Sequence, residues 1–187
     1  MINNLIIRSI PILPKKMVKI IADKYVAGET NESALYKTKD LNEKGYSITI
    51  DLLGEHITNI DEINEVTNTY IYLLKHIHSL NLNANISVKP THIGLDLNLK
   101  TFEKNALKLV KKAAEYNNFI RFDMENSSTT DDTISVYKNI HKNYKNTGTV
   151  FQAYLKRTYN DLENLMSEKI NFRLCKGIYN ENEKIAY

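Results

Sequence analysis

Four polar side chains stand at or near the ends of short runs of β-forming residues, and together they could do chemistry: Lys89, Asp123, Gln152 and Arg173. Their ammonium, carboxylate, amide and guanidinium groups can bind an anion, transfer a proton and donate hydrogen bonds. A packed core would not tolerate four such groups by chance, because burying each one without a partner is costly. We therefore predict that these residues form a binding or catalytic site.

Position alone leaves the role of Lys89 open among three possibilities. A desolvated lysine could form a Schiff base with a carbonyl substrate, bind a carboxylate as a point charge, or pair with an internal acid. Arg173 lies inside an otherwise apolar strand pattern, where a buried guanidinium needs a partner. An ion pair between Arg173 and Asp123 is the simplest structural explanation, and it is compatible with a functional role for both residues.

The remaining acids and histidines give weaker signals. Asp123 and Glu125 are two apart in a strand pattern and would share a face unless Glu125 already lies past the strand end, and no histidine joins them in a metal-binding motif. His76 and His78 face different ways on a predicted helix, and His92 is the only histidine close to a strand end. We predict no metal site.

The overall composition is typical of one globular domain, with 187 residues, 42% of them hydrophobic and 25% charged, and a formal net charge of +3. The lysines are scattered rather than concentrated, so no nucleic-acid surface is expected. The single cysteine, Cys175, cannot form an internal disulfide and is predicted to be a small buried side chain. No secretory signal and no run of about 18 apolar residues occurs, which predicts a soluble, intracellular protein.

Helical and strand patterns alternate along the chain. Apolar periodicity predicts two leading helices, over about 17–25 and 33–41, and four later helices that begin near residues 59, 102, 134 and 158. The predicted helix starts include Asn59 as an N-cap and a capping box formed by Thr158 and Asp161. Runs of β-branched and apolar residues predict strands over 46–53, 85–89, 119–125, 149–154 and 170–176.

Strict alternation of strands and helices indicates a parallel sheet, because each helix returns the chain to the same edge. The strand-end residues recur close to the roughly 31-residue unit of a (β/α)₈ barrel. No Gly-x-Gly-x-x-Gly sequence follows the first strand, which disfavours a doubly wound nucleotide-binding sheet. We therefore predict a TIM-barrel type fold, with residues 1–45 as a helical arm and 46–187 as about five βα units. By length, this is expected to be an incomplete barrel.

The sequence around the strand ends resembles that of the proline dehydrogenase family, which includes one domain of the bifunctional proline utilisation A proteins. The resemblance covers nearly the whole chain, in order and at family-like spacing. It rests on six segments: YVAGET (25–30), DLLGE (51–55), ISVKPT (86–91), RFDMENS (121–127), VFQAYLKRT (150–158) and RLCKGIY (173–179).

This resemblance implies a distorted (β/α)₈ barrel that holds FAD, oxidises L-proline to Δ1-pyrroline-5-carboxylate and passes electrons to a quinone at the membrane surface. Lys89 would contact the proline carboxylate, and Asp123 would be an active-site acid beside the substrate. Gln152 would hydrogen-bond the isoalloxazine, and Arg173 would stabilise negative charge near its reactive edge. The family pattern assigns the lining of the flavin to Met124, Leu174, Cys175, Lys176, Gly177 and Tyr179.

Two substitutions depart from the family pattern without disturbing the assignment, Pro90 after the lysine and Asn180 after Tyr179. The family's remaining strands, its adenosine-binding region and its last helix with paired arginines have no counterpart. The expected function is thus proline oxidation by a cytoplasmic protein, peripheral at most to the membrane. The alternatives are a truncated, non-catalytic remnant of such an enzyme, or a lyase that forms a Schiff base at Lys89.

Overall fold

The computed structural model describes residues 26–187 of the chain, which divides into two compact units, Met1–Tyr46 and Ser47–Tyr187. The helix predicted over 17–25 lies outside the described residues. In the first unit, helix α1 spans Asn31–Glu43. It begins at Thr30, whose side chain accepts a hydrogen bond from the Ser33 amide while the Ser33 hydroxyl accepts one from the Thr30 amide. This reciprocal capping explains why the helix begins here.

The second unit alternates strands and helices, as the sequence pattern predicts. Its strands are β1 (Ile48–Ile50), β2 (Ala84–Val88), β3 (Ile120–Phe122), β4 (Thr147–Gln152) and β5 (Asn171–Cys175). Its α-helices are α2 (Ile60–Ser79), α3 (Leu99–Glu115), α4 (Thr130–His141) and α5 (Thr158–Leu165). Short 3₁₀ helices span Pro90–Ile93, Ser127–Thr129 and Met166–Glu168.

The five strands form one parallel sheet in the order β1-β2-β3-β4-β5. Each strand pairs with its sequence neighbours through a helical crossover, which is the connectivity of a (β/α) barrel. Within the described residues the sheet ends at β1 on one side and at β5 on the other. The predicted fold class, an incomplete barrel of about five βα units, is confirmed.

The core lies between the sheet and its helices. Helix α3 buries Phe102, Ala106 and Leu109 at helical spacing, and the Phe102 ring meets Phe122 of β3 edge-on at 6.2 Å. Because side chains alternate along a strand, Arg121 of β3 projects to the opposite side from Phe122. The apolar alternation of each strand therefore directs one set of residues to the helices and the other set to the barrel interior.

Two strands end three residues earlier than predicted. Strand β1 ends at Ile50 rather than near residue 53, and β3 ends at Phe122 rather than at residue 125. Asp123 and Glu125 therefore lie beyond the ladder. The strict alternation of a strand need not hold there, and the expectation that these two acids share a face is wrong, as their partners below show.

One predicted helix start is confirmed and another is wrong. The Asn59 side chain accepts hydrogen bonds from the amides of Asp61 and Glu62, and so caps α2 as expected. The capping box at Thr158 does not form, because the N-cap of α5 is Arg157 and makes no side-chain capping bond. The Thr158 hydroxyl instead donates to the carbonyl oxygen of Gln152 at 2.6 Å, which ties the helix start to the end of β4.

Cys175 is half-buried rather than buried, because β5 is an edge strand in the described part of the chain. Its thiol lies 3.4 Å from the carbonyl oxygen of Phe151. Among residues 26–187, no helix combines the length and the apolar character that crossing a membrane requires.

Candidate active site

A cavity of about 280 Å³ opens at the carboxyl ends of strands β2 to β5. Eight of the ten site residues predicted from the sequence line it, and they come from four successive strand ends and the segment after β5. The full lining is Lys89, Asp123, Met124, Val150, Gln152, Arg173, Cys175, Gly177, Ile178 and Tyr179. The strand-end spacing therefore brings distant residues to one place, as a parallel barrel does.

The two predicted residues that do not line the cavity are Leu174 and Lys176. They alternate with Arg173 and Cys175, which do line it, and successive side chains of a strand point to opposite faces. Leu174 is 54% exposed. Leu174 and Lys176 therefore do not line this cavity, and the family-based expectation that they belong to a flavin-lining strand end stays a prediction.

Lys89 pairs with an internal acid, which is one of the three possibilities that its position left open, and the partner, Asp51, was not predicted. Its Nζ lies 2.6 Å from Oδ2 of Asp51, which follows β1, and Tyr70 donates to Oδ1 of Asp51 at 3.2 Å. Burial lowers the pKa of Lys89, but the hydrogen bond to Asp51 and the nearby carboxylates outweigh it, so the pKa lies above its usual value. Asp51 could have been found from the sequence, because it is the one charged residue within the first predicted strand.

Asp123 accepts two hydrogen bonds on the same oxygen. Ser87 Oγ and Arg173 Nη2 each lie 2.7 Å from Asp123 Oδ1, which confirms the predicted ion pair with Arg173. Burial raises the pKa of Asp123, and the Ser87 hydrogen bond and the Arg173 charge only partly oppose it. Ser87 lies on the inward face of β2 and, like Asp51, was not predicted to belong to the site.

Gln152 ends β4 and is only 1% exposed. Its Nε2 donates to the main-chain oxygen of Glu125 at 2.8 Å, and the main-chain oxygen of Gln152 accepts from the Thr158 hydroxyl. No described residue donates to Gln152 Oε1, so this oxygen is left to accept a hydrogen bond from a ligand. The bond to Glu125 therefore orients the side-chain amide, while the bond from Thr158 fixes the main chain of Gln152.

Glu125 is fully buried and does not line the cavity. Its carboxylate accepts from the amide and the hydroxyl of Thr91, at 2.8 and 2.6 Å. Burial raises the pKa of Glu125, and the two Thr91 hydrogen bonds oppose that effect. The Glu125 carboxylate thus links the segment after β3 to the segment after β2, and its main-chain oxygen accepts the hydrogen bond from Gln152.

The segment after β5 folds over the cavity through several side-chain contacts. Gly177 has φ +108°, and a Cβ there would lie 2.1 Å from Cδ1 of Tyr154, so only glycine fits. Tyr154 donates to the main-chain oxygen of Tyr179, and the Tyr179 hydroxyl donates to Glu55 at 3.1 Å. Burial raises the pKa of Tyr179.

No histidine lines the cavity. His56 pairs with Asp96 at 2.6 Å, and buried His92 packs against Gly54, where a Cβ would lie 2.5 Å from Nε2. Across the part of the chain that the structure describes, no group of three histidine, cysteine or acidic side chains could hold a metal ion.

Polar side chains collected at the carboxyl ends of parallel strands define the active-site end of a barrel enzyme. Comparison with known proteins makes the class specific. The sequence profile described as proline dehydrogenase matches residues 34–187. This chain belongs to the proline dehydrogenase family.

Relatives of known name agree with this family. The chain is 33% identical over 169 residues to proline dehydrogenase 2 of Bacillus subtilis subsp. natto, covering 90% of this chain and 56% of the relative. It is 36% identical over 166 residues to proline dehydrogenase 1 of Bacillus subtilis strain 168, covering 89% of this chain and 55% of the relative. The chain therefore spans a little over half the length of these relatives.

Solved structures show the same architecture. The chain matches proline utilization A from Bdellovibrio bacteriovorus, inactivated by N-propargylglycine, with a TM-score of 0.78 and 25% identity. That match covers 87% of this chain and 21% of the larger protein. Proline utilization A from Bradyrhizobium japonicum matches with a TM-score of 0.65 and 20% identity, over 80% of this chain and 18% of that one, and supports the fold alone.

Proposed function

We propose that this chain carries the substrate and flavin contacts of an FAD-dependent proline dehydrogenase, which oxidises L-proline to Δ1-pyrroline-5-carboxylate. The observation that carries the proposal is the meeting of Lys89, Asp123, Gln152 and Arg173 at one cavity. Family membership supports the substrate and the reaction class.

Lys89 and Asp123 form the substrate side of the proposed site. Proline is a zwitterion, with a carboxylate and a secondary ammonium bonded to the same carbon. The raised pKa of Lys89 keeps its ammonium charged at neutral pH, as binding a carboxylate requires. The Asp123 oxygen that accepts no bond from the described residues, Oδ2, is suited to accept a hydrogen bond from the ring nitrogen.

Gln152 and Arg173 form the flavin side. The chemistry of these side chains fits an isoalloxazine, because Gln152 Oε1 can accept from a ring N–H and Arg173 can face negative charge on the ring. Met124, Val150 and Ile178 add apolar lining, alongside Cys175, Gly177 and Tyr179. When bound, FAD would supply the hydride acceptor; the chain itself supplies position and electrostatics.

The electron acceptor and the location of the protein follow from the family resemblance. We propose that electrons pass from the flavin to a quinone, and that the protein is cytoplasmic and meets the inner face of the membrane peripherally.

Lys89 does not have the character of a Schiff-base nucleophile. A nucleophilic lysine needs a lowered pKa, so that a neutral amine is present near neutral pH. Lys89 has a raised pKa and its Nζ is held by Asp51 at 2.6 Å. The lyase alternative is therefore disfavoured.

The test is to purify the chain, add FAD, remove the excess and record the visible spectrum. Bound flavin that L-proline bleaches, and that reduces a dye in turnover, is the expected result. N-propargylglycine, which inactivates the Bdellovibrio relative, should abolish this dye reduction. Lys89→Met should raise the KM for L-proline by about tenfold or more, the loss of one charge-assisted contact, while Lys156→Met serves as the matched control.

A folded chain that binds no flavin would contradict the proposal and support the non-catalytic alternative. A trapped borohydride adduct at Lys89 without flavin would instead support the lyase.

A further inference from the structure

Two donors converge on one oxygen of Asp123 and leave the other oxygen without a protein partner. Ser87 Oγ and Arg173 Nη2 both lie 2.7 Å from Oδ1. No described residue donates to Oδ2, although Asp123 lines the cavity. The carboxylate is therefore anchored through Oδ1, and Oδ2 is the oxygen available to a ligand.

The two donors differ in how firmly they are held. Ser87 is 2% exposed and is the next-to-last residue of β2, which pairs with β1 and β3 on its two sides. The Arg173 side chain is 46% exposed and extends from an edge strand. A serine hydroxyl is placed by one side-chain torsion, whereas an arginine must order four, at a higher entropic cost.

We propose that Ser87 is a positioning residue that fixes the Asp123 carboxylate with Oδ2 available to the cavity. By this arrangement Asp123 offers a single acceptor oxygen, which selects a ligand with an N–H donor such as a secondary ammonium. The effect of Ser87 on turnover rests on the proposed function, whereas its effect on the orientation and ionisation of Asp123 is independent of that function.

The charges around Asp123 come from three other strand ends. Arg173 on β5 and Lys89 after β2 are cationic, and Asp51 after β1 is anionic; Arg121 of β3 also carries a charge nearby. The Ser87 hydroxyl is the neutral donor among these groups. Removing it deprives the ionised carboxylate of a hydrogen bond while every charge stays in place.

The test is a pH titration of Asp123 by ¹³C carboxyl NMR in the full chain, with the resonance assigned by its loss in Asp123→Asn. Ser87→Ala should increase the proton affinity of Asp123 by roughly tenfold, the effect expected for one hydrogen bond to a charged group. Ser87→Thr keeps the hydroxyl and should restore most of the wild-type titration. Ser135→Ala, on the exposed face of α4, should titrate as the wild type.

Identical titrations of the wild type and a folded Ser87→Ala would overturn the proposal, whether or not the chain turns over. If the chain is active, Ser87→Ala should also move the acidic limb of kcat/KM to higher pH, and Ser87→Thr should move it back. An unchanged limb would reject the role of Ser87 while leaving the proposed function intact. Absence of flavin binding and turnover in every variant would reject the proposed function, and the NMR titration would still decide the role of Ser87.

Discussion

Strands β4 and β5 are neighbours in one ladder, yet their surroundings are opposite. All of Thr147–Gln152 is buried, whereas in Asn171–Cys175 the first four residues are exposed and the last is half-buried. β4 lies between β3 and β5, while β5 pairs only with β4 among the described residues. The same parallel hydrogen bonding thus accompanies a fully packed strand and an exposed one, so strand formation and burial are separate consequences of the sequence.

This difference divides the candidate site. Its inner part is held by contacts among central strands, such as Ser87 with Asp123 and Gln152 with Glu125. Its outer part depends on Arg173, whose side chain is half exposed. Contacts between buried groups are fixed by packing, whereas an exposed ion pair competes with water. We therefore expect substitutions in the two parts to differ in their cost.

The largest expected effect is on stability, and it compares two phenylalanines. Phe151 of β4 is 1% exposed and Phe172 of β5 is 45% exposed, and their rings meet edge-on at 5.9 Å. Phe151→Ala should lower the free energy of unfolding by about 3–5 kcal/mol, because it opens a cavity in the core. Phe172→Ala should lower it by about 1–2 kcal/mol, mainly through the lost ring contact. Urea denaturation measures both.

The double variant tests whether the two rings stabilise each other. Its cost should be smaller than the sum of the single costs by about 0.5–1.5 kcal/mol, the range for an aromatic pair. Equal costs for Phe151→Ala and Phe172→Ala would contradict the contrast between the strands, and would mean that β5 is covered in solution.

The two ion pairs of the site give the second comparison. The Lys89 and Asp51 side chains are 19% and 27% exposed, and Tyr70 also binds Asp51. Lys89→Met keeps the apolar stem and should cost about 1–2 kcal/mol, because it leaves Asp51 partly buried with one donor fewer. Arg173→Met should cost less than about 1 kcal/mol, as exposed pairs do.

These values come from the same urea experiment. Added salt should reduce the loss of unfolding free energy caused by Arg173→Met more than the loss caused by Lys89→Met. The reason is that salt screens exposed charges more strongly than partly buried ones. If Arg173→Met lost more unfolding free energy than Lys89→Met, the outer part of the site would be the more firmly held one, contrary to our expectation.

The sequence predicted the order of the elements because apolar periodicity reports which residues face the core. It also predicted that Lys89, Asp123, Gln152 and Arg173 meet, because parallel strands end at the same edge of a barrel. It did not predict the half-exposed state of Cys175. That state depends on what covers β5, which no pattern within β5 specifies.

The partners of the charged residues were harder to predict than the residues themselves. Asp51 and Ser87 lie within predicted strands and within the quoted segments DLLGE and ISVKPT, but no role was predicted for either. Their importance depends on the register that places them beside Lys89 and Asp123. Glu125 was expected to share a face with Asp123, but the strand ends before both. Register and strand ends depend on packing between elements, so a single sequence determines them poorly.

The smallest expected effect concerns pH and the inner part of the site. The pKa of Glu125 is raised by burial above its ordinary value of 4.5, so the folded state binds its proton more tightly than the unfolded state. Stability from this group is fully present below about pH 4.5 and is lost as the pH rises through the raised pKa. Glu125→Gln removes this titration and keeps the shape of the side chain.

Between pH 4 and 7, the unfolding free energy of the wild type should therefore increase relative to that of Glu125→Gln as the pH falls. The other acids titrate in both proteins, so their contributions cancel in the difference. A difference that stays constant with pH would mean that the two Thr91 hydrogen bonds fully offset the burial of Glu125. In that case Glu125 would be as stable in its ionised form when folded as when unfolded, despite its burial. The inner part of the site would then differ from the exposed ion pair of Arg173 by more than the burial of the two groups alone predicts.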